Sequence, residues 1–296
     1  MQNDECYLCT GKEREKIGHT NCHLKIPVLK CDECGLVFLE SFEHIEDDYY
    51  HRSGMRSKEL NPPELCDELN CEKFSEWRKI TQQDDLRRYE RLKDKIINKD
   101  ILDFGAGNGG FLKIAAQTAN SVTAVEVDRD SRMNMNKEDI LTFQELASIP
   151  LDTKFDVITS FHVFEHLKDP LDTLKRLSAY LNKEGTLILE FPNANDALIS
   201  LYGSKEFSEF TYRNDHLFLF NTENTKKMIE KASLTCKKVS QAQRFPLSNH
   251  LYWLSKGKAG GHKVWNFLNS EILNREYKKH LENMGVCDTI IVEIKK

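Results

Sequence analysis

The sequence contains no apolar run approaching the roughly 18 residues that a membrane-crossing helix needs, so no membrane span is expected. It has no surplus of positive charge: 42 Lys and Arg stand against 47 Asp and Glu, a net −5. That balance argues against a general nucleic-acid binder, whose footprint is a basic domain or stripe. Internal repeats and low-complexity tracts are missing as well, which excludes solenoids and fibrous arrays. The start, Met1-Gln-Asn-Asp-Glu-Cys-Tyr-Leu-Cys9, lacks a basic n-region and an apolar h-region. No secretory signal is expected, and the cytoplasm is the expected compartment. What is present is a globular composition of 296 residues, 40% hydrophobic and 30% charged. It suits one large domain, or one domain with a small appendage, around a sizeable core.

The nine cysteines are an odd number and unevenly spread. Cys66, Cys71, Cys236 and Cys287 are scattered, while Cys6, Cys9, Cys22, Cys31 and Cys34 crowd the amino terminus. The pattern is Cys6-x2-Cys9 followed by Cys31-x2-Cys34. Each pair sets two thiolates on one side of a tight turn, and four thiolates complete a tetrahedron around Zn2+ at ~2.3 Å. Cys6, Cys9, Cys31 and Cys34 are therefore the expected ligands of a structural zinc, with Cys22 and His23 as spare candidates. The competing reading is four buried or redox-active thiols. Gly11 and Gly35 lie where the chain must turn.

Three regions follow. Residues 1–45 read as the zinc-binding module, ending in Leu36-Val-Phe-Leu39. Residues 46–95 read as a helical connector or cap, containing Tyr49-Tyr50 and Pro62-Pro63. From Glu76 to Asn98 apolar residues fall at helical intervals (Trp77, Ile80, Leu86, Tyr89, Leu92, Ile96) among dense charge, predicting one or two exposed helices. Residues 96–296 alternate strands and helices. Strands are expected at 101–104, 121–126, 140–143, 155–161, 186–191, 235–241 and 288–295. Helices are expected at 109–118, 129–137, 222–232 and within 262–285. Another opens at Asp169-Pro170, where Asp caps and Pro fits the first turn; Leu171, Leu174, Leu177 and Leu181 give it one apolar face. Such alternation implies an α/β domain, a mostly parallel sheet with helices on both faces.

Between the first strand and helix of that region lies Asp103-Phe-Gly105-Ala-Gly107-Asn-Gly109-Gly110. The spacing satisfies both GxGxxG and GxGxG, so alone it is weak evidence for a dinucleotide. Glu126 ends the next strand, 21 residues after Gly105. A carboxylate there accepts both hydroxyls of an adenosine ribose, a group that NAD and S-adenosylmethionine share. Asp103 separates the two: an acid is awkward beside a pyrophosphate and welcome beside an α-ammonium.

These residues, with Phe155-Asp-Val-Ile158 and Phe161-His-Val-Phe-Glu-His-Leu-Lys-Asp-Pro170, resemble class I S-adenosylmethionine-dependent methyltransferases over about residues 95–240. The paired Cys-x2-Cys turns and Cys34-Gly-Leu-Val-Phe-Leu39 resemble zinc-bearing methyltransferases of sugar-modifying and surface-polysaccharide pathways. The resemblance implies a Rossmann-like, mostly parallel seven-stranded sheet with a small zinc module. It implies a methyl acceptor that is a small molecule, a sugar or nucleotide-linked sugar, and no nucleic-acid partner. By the same resemblance, Asp103 holds the methionine end of the cofactor, and Gly105, Ala106 and Gly107 line it with backbone. Glu126 takes the ribose diol, Glu145 the adenine amino group, and His162 lies near the sulfonium or ribose. Glu165 and His166 cap and orient the following turn. His216, in Arg213-Asn-Asp-His-Leu-Phe-Leu-Phe220, is the expected base on the acceptor side. Tyr49, Tyr50 and Tyr212 are expected to grip the acceptor, Arg213 to clamp a phosphate, and residues 248–262 to form a loop that acts as a lid.

Three alternatives stay open. One is an RNA methyltransferase docking RNA through the zinc module, whose Lys12, Arg14, Lys16, Lys25 and Lys30 offer a local basic face. A second is a non-catalytic zinc-ribbon adaptor. The third, an NAD enzyme, is disfavoured by Asp103.

Overall fold

The computed structural model describes residues 5–21, 24–45 and 68–296, with backbone alone for 68–80. Cys22, His23, Tyr49, Tyr50, Pro62, Pro63, Cys66 and the side chains of Cys71, Trp77 and Ile80 lie outside the described residues.

Three short strands open the chain: β1 (Arg14–His19), β2 (Pro27–Cys31) and β3 (Val37–Leu39). A 29-residue helix, α1 (Glu68–Ile96), follows. Then come β4 (Asp100–Phe104), α2 (Gly110–Ala115), β5 (Ser121–Val125), α3 (Arg129–Asn136), β6 (Leu141–Phe143) and β7 (Phe155–Phe161). They are followed by α4 (Pro170–Ala179), β8 (Leu181–Pro192), α5 (Ala197–Ser200), α6 (Lys205–Thr211), β9 (Phe218–Leu219) and α7 (Thr222–Lys231). The chain ends with β10 (Thr235–Ala242), α8 (Leu247–Lys256), α9 (Gly261–Val264), α10 (Glu271–Met284) and β11 (Thr289–Lys295).

The strands form a seven-stranded sheet in the order β10-β11-β8-β7-β4-β5-β6 and a four-stranded sheet in the order β1-β2-β3-β9. β4 pairs in parallel with both β5 and β7, and β5 with β6. This is the Rossmann-like α/β sheet expected from the alternation. Its strands carry short unbroken apolar runs, as strands covered on both faces do: Ile101 and Leu102 in β4, Val157 and Ile158 in β7, Leu187 to Leu189 in β8, all buried.

The residues form two compact units. One contains Met1–His44, His162–Leu174 and Leu189–Ile294; the other contains Ile45–Phe161, Lys175–Ile188 and Lys295–Lys296. One break falls between His44 and Ile45, and residues 1–44 share their unit with two later segments. β3 pairs antiparallel with β9, Val37 opposite Leu219 and Phe38 opposite Phe218, so the amino-terminal strands are completed by a strand from far along the chain. Among the described residues, no helix is long and apolar enough to cross a membrane.

Several local expectations are corrected. The helix expected at 109–118 is shorter: Gly109, in the left-handed region at φ 73°, caps its start, and past Ala115 the Gln117 and Thr118 N–H groups bond only three residues back, to Ile114 and Ala115. Leu181, expected on the face of α4, begins β8. The loop expected over 248–262 is mostly helix. Tyr252 and Trp253 are both buried, and the Trp253 ring lies 5.1 Å from Phe207 and 5.2 Å from Phe210. Gly257, at φ 62°, ends α8 with a left-handed cap. His250 is buried, its Nδ1 2.8 Å from the Tyr277 hydroxyl and its Nε2 3.0 Å from Gln243. It is a packed structural histidine rather than a lid residue.

Candidate functional site

The glycine turn lies in the second unit, at the carboxyl end of β4. The Gly105 and Ala106 N–H groups both donate to the Val125 carbonyl, at 2.8 and 3.2 Å, tying the turn to β5. Gly105 and Gly107 adopt φ 76° and 61°, a region that side chains resist. Glu126 closes the turn from the opposite side: its Oε2 accepts from Gly107 N–H at 2.6 Å and its Oε1 from Asp128 N–H at 2.9 Å. A carboxylate accepts at about four lone-pair positions, and these two donors use two of them. Glu145 is exposed and follows β6 at the start of a short turn.

Asp103 is 3% exposed. Burial pushes its carboxyl up to about 7, against a hydrogen bond from Thr159 and the charge of Arg88. The Thr159 hydroxyl donates to Asp103 Oδ1 at 2.7 Å. A buried acid in this condition is short of positive charge, which is what the α-ammonium of S-adenosylmethionine supplies. The donor set therefore fits the cofactor: Asp103 for the ammonium, the glycine turn for the body, Glu126 for the ribose.

Two residues that sequence reasoning passed over belong to this site. Asp85 and Arg88 of α1 pair at 3.2 Å. The Arg88 guanidinium lies 4.5 Å from the centroid of the Phe161 ring. Asp85 packs so closely on Gly110 that a Cβ there would meet its Oδ2 at 2.0 Å. The Gly110→Ala protein should therefore displace Asp85, disturb Arg88, and bind S-adenosylhomocysteine roughly tenfold more weakly, about 1.4 kcal/mol. Calorimetry measures this; unchanged affinity would detach α1 from the site.

The histidines lie in the other unit. His162 stands at φ 55°, strained for a residue with a Cβ. Its Nδ1 is 3.2 Å from Glu165 Oε1 and its Nε2 3.4 Å from Glu190 Oε1. Burial disfavours its charge, but these two carboxylates outweigh burial and raise its pKa. Glu165 is 1% exposed. Burial opposes its charge too, yet His162, His166 and His216 together hold its pKa below the usual range.

His166 Nδ1–H donates to the Asp215 carbonyl at 2.5 Å, and His216 Nδ1–H to the Thr211 carbonyl at 3.1 Å. The two rings lie 5.1 Å apart. Burial, then His166, depress the His216 pKa to about 4. Two expectations are corrected here. Arg213 does not present an open fork for phosphate, since its Nε and Nη2 each donate to an Asp215 carboxylate oxygen at 2.8 Å. Tyr212 is buried beside Gly18 rather than turned toward an acceptor.

The same unit holds the four cysteines, whose sulfurs lie within 4.8 Å of one another. Cys6 Sγ is 3.6 Å from Cys34 Sγ and Cys9 Sγ 3.4 Å from Cys31 Sγ. The edge of a Zn–S4 tetrahedron is ~3.8 Å, so the cluster fits the ion with slight expansion. A hydrogen bond from Cys34 draws Cys6 toward its thiolate against burial. Gly35 turns in the left-handed region as expected, but after the first pair it is Thr10, φ 62°, that does so. Gly11 instead admits the Glu33 side chain, whose carboxylate a Cβ would meet at 2.7 Å.

The cysteine module grips the segment that carries His216. Leu39 N–H donates to the Leu217 carbonyl at 3.1 Å and Asn21 N–H to the Tyr212 carbonyl at 3.0 Å. His44 Nε2–H donates to the Asn214 carbonyl at 2.7 Å. Phe218 packs against Tyr7 at a tilt and edge-on against Phe42, with centroids at 5.0 and 5.3 Å. The Tyr7 hydroxyl bonds Asp169 and accepts from Leu171 N–H.

Residues 76–239 match the family described as "Methyltransferase domain". A probable S-adenosylmethionine-dependent methyltransferase of Mycobacterium tuberculosis is 30% identical over 110 residues, 36% of this chain and 40% of that protein. This chain thus spans well under half the length of that relative. A ubiquinone biosynthesis O-methyltransferase of Aeromonas salmonicida is 24% identical over 179 residues, 55% of this chain and 75% of that protein. The magnesium protoporphyrin IX methyltransferase of Synechocystis, solved with S-adenosylhomocysteine, shares the fold at a TM-score of 0.52 and 13% identity, covering 84% of this chain and 97% of that one.

Proposed function

This chain belongs to the methyltransferase-domain family, and from that premise we propose that it methylates a small molecule, a sugar or nucleotide-linked sugar used in cell-surface glycan synthesis, in the cytoplasm. The observation that supports this reading most is the cysteine module fastened around Arg213–Phe220. Hydrogen bonds from Asn21, His44 and Leu39 hold the backbone at Tyr212, Asn214 and Leu217, the stretch to which this reading assigns the acceptor. In this reading the four cysteines hold a structural Zn2+.

When bound, S-adenosylmethionine supplies a methyl group made electrophilic by its sulfonium. Asp103 holds the ammonium, Glu126 the ribose diol, and Gly105, Ala106 and Gly107 the body of the cofactor. Glu145 is assigned the adenine amino group, and His162 the neighbourhood of the sulfonium. The protein's remaining work is to orient the acceptor and take up its proton. His216 is assigned that proton. Its low pKa keeps the ring neutral at pH 7. Its Nδ1–H is held by Thr211, which leaves the lone pair at Nε2. Glu165 and Asp215 stand ready to balance the imidazolium charge.

The test is methyl-labelled S-adenosylmethionine incubated with the full chain and fractionated cell extract. Label is expected in nucleotide sugars or glycan; label in RNA would replace the acceptor class. His216→Ala should lower turnover by about 10²–10⁴-fold while leaving S-adenosylhomocysteine affinity unchanged. Unaltered turnover would remove His216 from the reaction.

A further inference from the structure

We propose that Glu165, His166 and His216 form a second metal site, distinct from the cysteine cluster, for a first-row divalent ion held by two imidazoles and one carboxylate. One ligand atom from each of the three lies within 4.8 Å of the other two. Hydrogen bonds behind the rings fix them as they do in metal centres, where the remote N–H of a ligating His is given to a carbonyl or carboxylate. Here both remote N–H groups go to backbone carbonyls, Asp215 and Thr211. Each ring, in its neutral form, therefore carries its lone pair at Nε2.

The carboxylate is divided in the same sense. Glu165 Oε1 faces His162 Nδ1 at 3.2 Å, whereas Oε2 is buried without a hydrogen-bond partner. The buried Glu165 Oε2 lacks a donor, and a cation shared with two imidazole nitrogens answers that need. The groups around the cluster set its charge. His162 braces Glu165, and the Asp215 carboxylate lies 4.0 Å from His166 Nδ1 while paired with Arg213.

Two imidazoles and one carboxylate suit Zn2+, Mn2+ or Fe2+ better than Mg2+ or Ca2+, which prefer oxygen alone. Three protein ligands leave positions open, as in catalytic rather than structural sites. His166 and His216 are only half-buried, so an acceptor hydroxyl can reach such a position. On the methyltransferase reading above, on which this consequence rests, His216 then spends its Nε2 lone pair on the ion instead of on the acceptor's proton, and the ion makes the bound hydroxyl more acidic. The hydroxyl O–H bond breaks, the proton leaves to solvent, and the oxygen keeps the electron pair that forms the bond to the methyl carbon, while the sulfonium–methyl bond breaks and its pair stays on the sulfur, leaving S-adenosylhomocysteine.

The experiment is titration of the metal-depleted full chain with Co2+, read by absorption and by metal content. The cysteine cluster should take one equivalent with thiolate-to-cobalt charge-transfer bands. A second equivalent should bind with ligand-field bands only. His216→Ala and Glu165→Gln should each weaken that second equivalent by more than about tenfold, with the thiolate bands intact as proof of folding. A single equivalent of thiolate type, or a second that ignores both substitutions, would overturn the proposal. Failure here with His216-dependent activity retained would leave the functional reading standing. A second equivalent without label in sugars would do the reverse.

Discussion

The Asp103→Asn protein is expected to lose cofactor binding and to become more stable at alkaline pH. The affinity loss follows from removing one member of a buried charge pair. Such pairs are worth about 3 kcal/mol, or more than a hundredfold in Kd. Asn keeps the oxygen that accepts from Thr159 at 2.7 Å, so the geometry survives and only the charge is removed. The stability gain follows from linkage. Burial raises the Asp103 pKa from 3.8 to about 7. Between about pH 4 and 7 the native state holds a proton that the unfolded chain has released, so stability falls as pH rises through that window. Above it the full cost of ionising a buried acid is present, on the order of 4 kcal/mol. Asn does not incur that cost. Asp196, also raised to about 7 by burial and by Asp288, acts with the same sign in both proteins and cancels in the difference. Denaturant unfolding at pH 5 and pH 8, with calorimetry of S-adenosylhomocysteine binding, measures both effects. The same protonation predicts that wild-type affinity weakens as pH drops below about 7. A substituted protein with wild-type affinity would remove Asp103 from the ammonium.

The cofactor turn was legible because its signals are local. A buried apolar strand, glycines that relieve a left-handed backbone, and an acid at the end of the next strand all fall within about one βαβ unit. The same holds for α4, whose Asp169 accepts from Asp172 N–H at 2.9 Å, and for the parallel strands with unbroken apolar runs. What escaped was set by distant packing. Asp85 and Arg88 sit in a stretch with alternating charge that reads as a solvated face, yet both are largely buried. α8 was hidden by the glycines around it, because Gly257 marks the end of a helix rather than a loop. β9 has two residues and becomes a strand only by pairing with β3, about 180 positions earlier. His166 and His216 are 50 residues apart, so a sequence presents them as separate histidines while the fold sets their rings 5.1 Å apart.

Replacing Cys31 by Ser should lower methyl transfer by about a hundredfold while leaving cofactor affinity close to wild type. Cys31 ends β2, and its sulfur lies 3.4 Å from that of Cys9. If the four cysteines hold zinc as proposed, loss of one thiolate breaks the tetrahedron, and structural zinc supplies folding energy outright, on the order of 10 kcal/mol in small modules. β1–β3 are too short to persist alone. Their loss removes the partner of β9 and the backbone bonds to Tyr212, Asn214 and Leu217. His216 stands inside that interval, and a misplacement of about 1 Å costs on the order of 10²-fold in rate. Asp103, Glu126 and the glycine turn take the contacts described above from their own unit, so S-adenosylhomocysteine should still bind. Calorimetry and turnover on the same preparation separate the outcomes. Loss of both together would mean that the module supports the whole fold. Loss of neither would mean that the cysteines do not hold His216 in place.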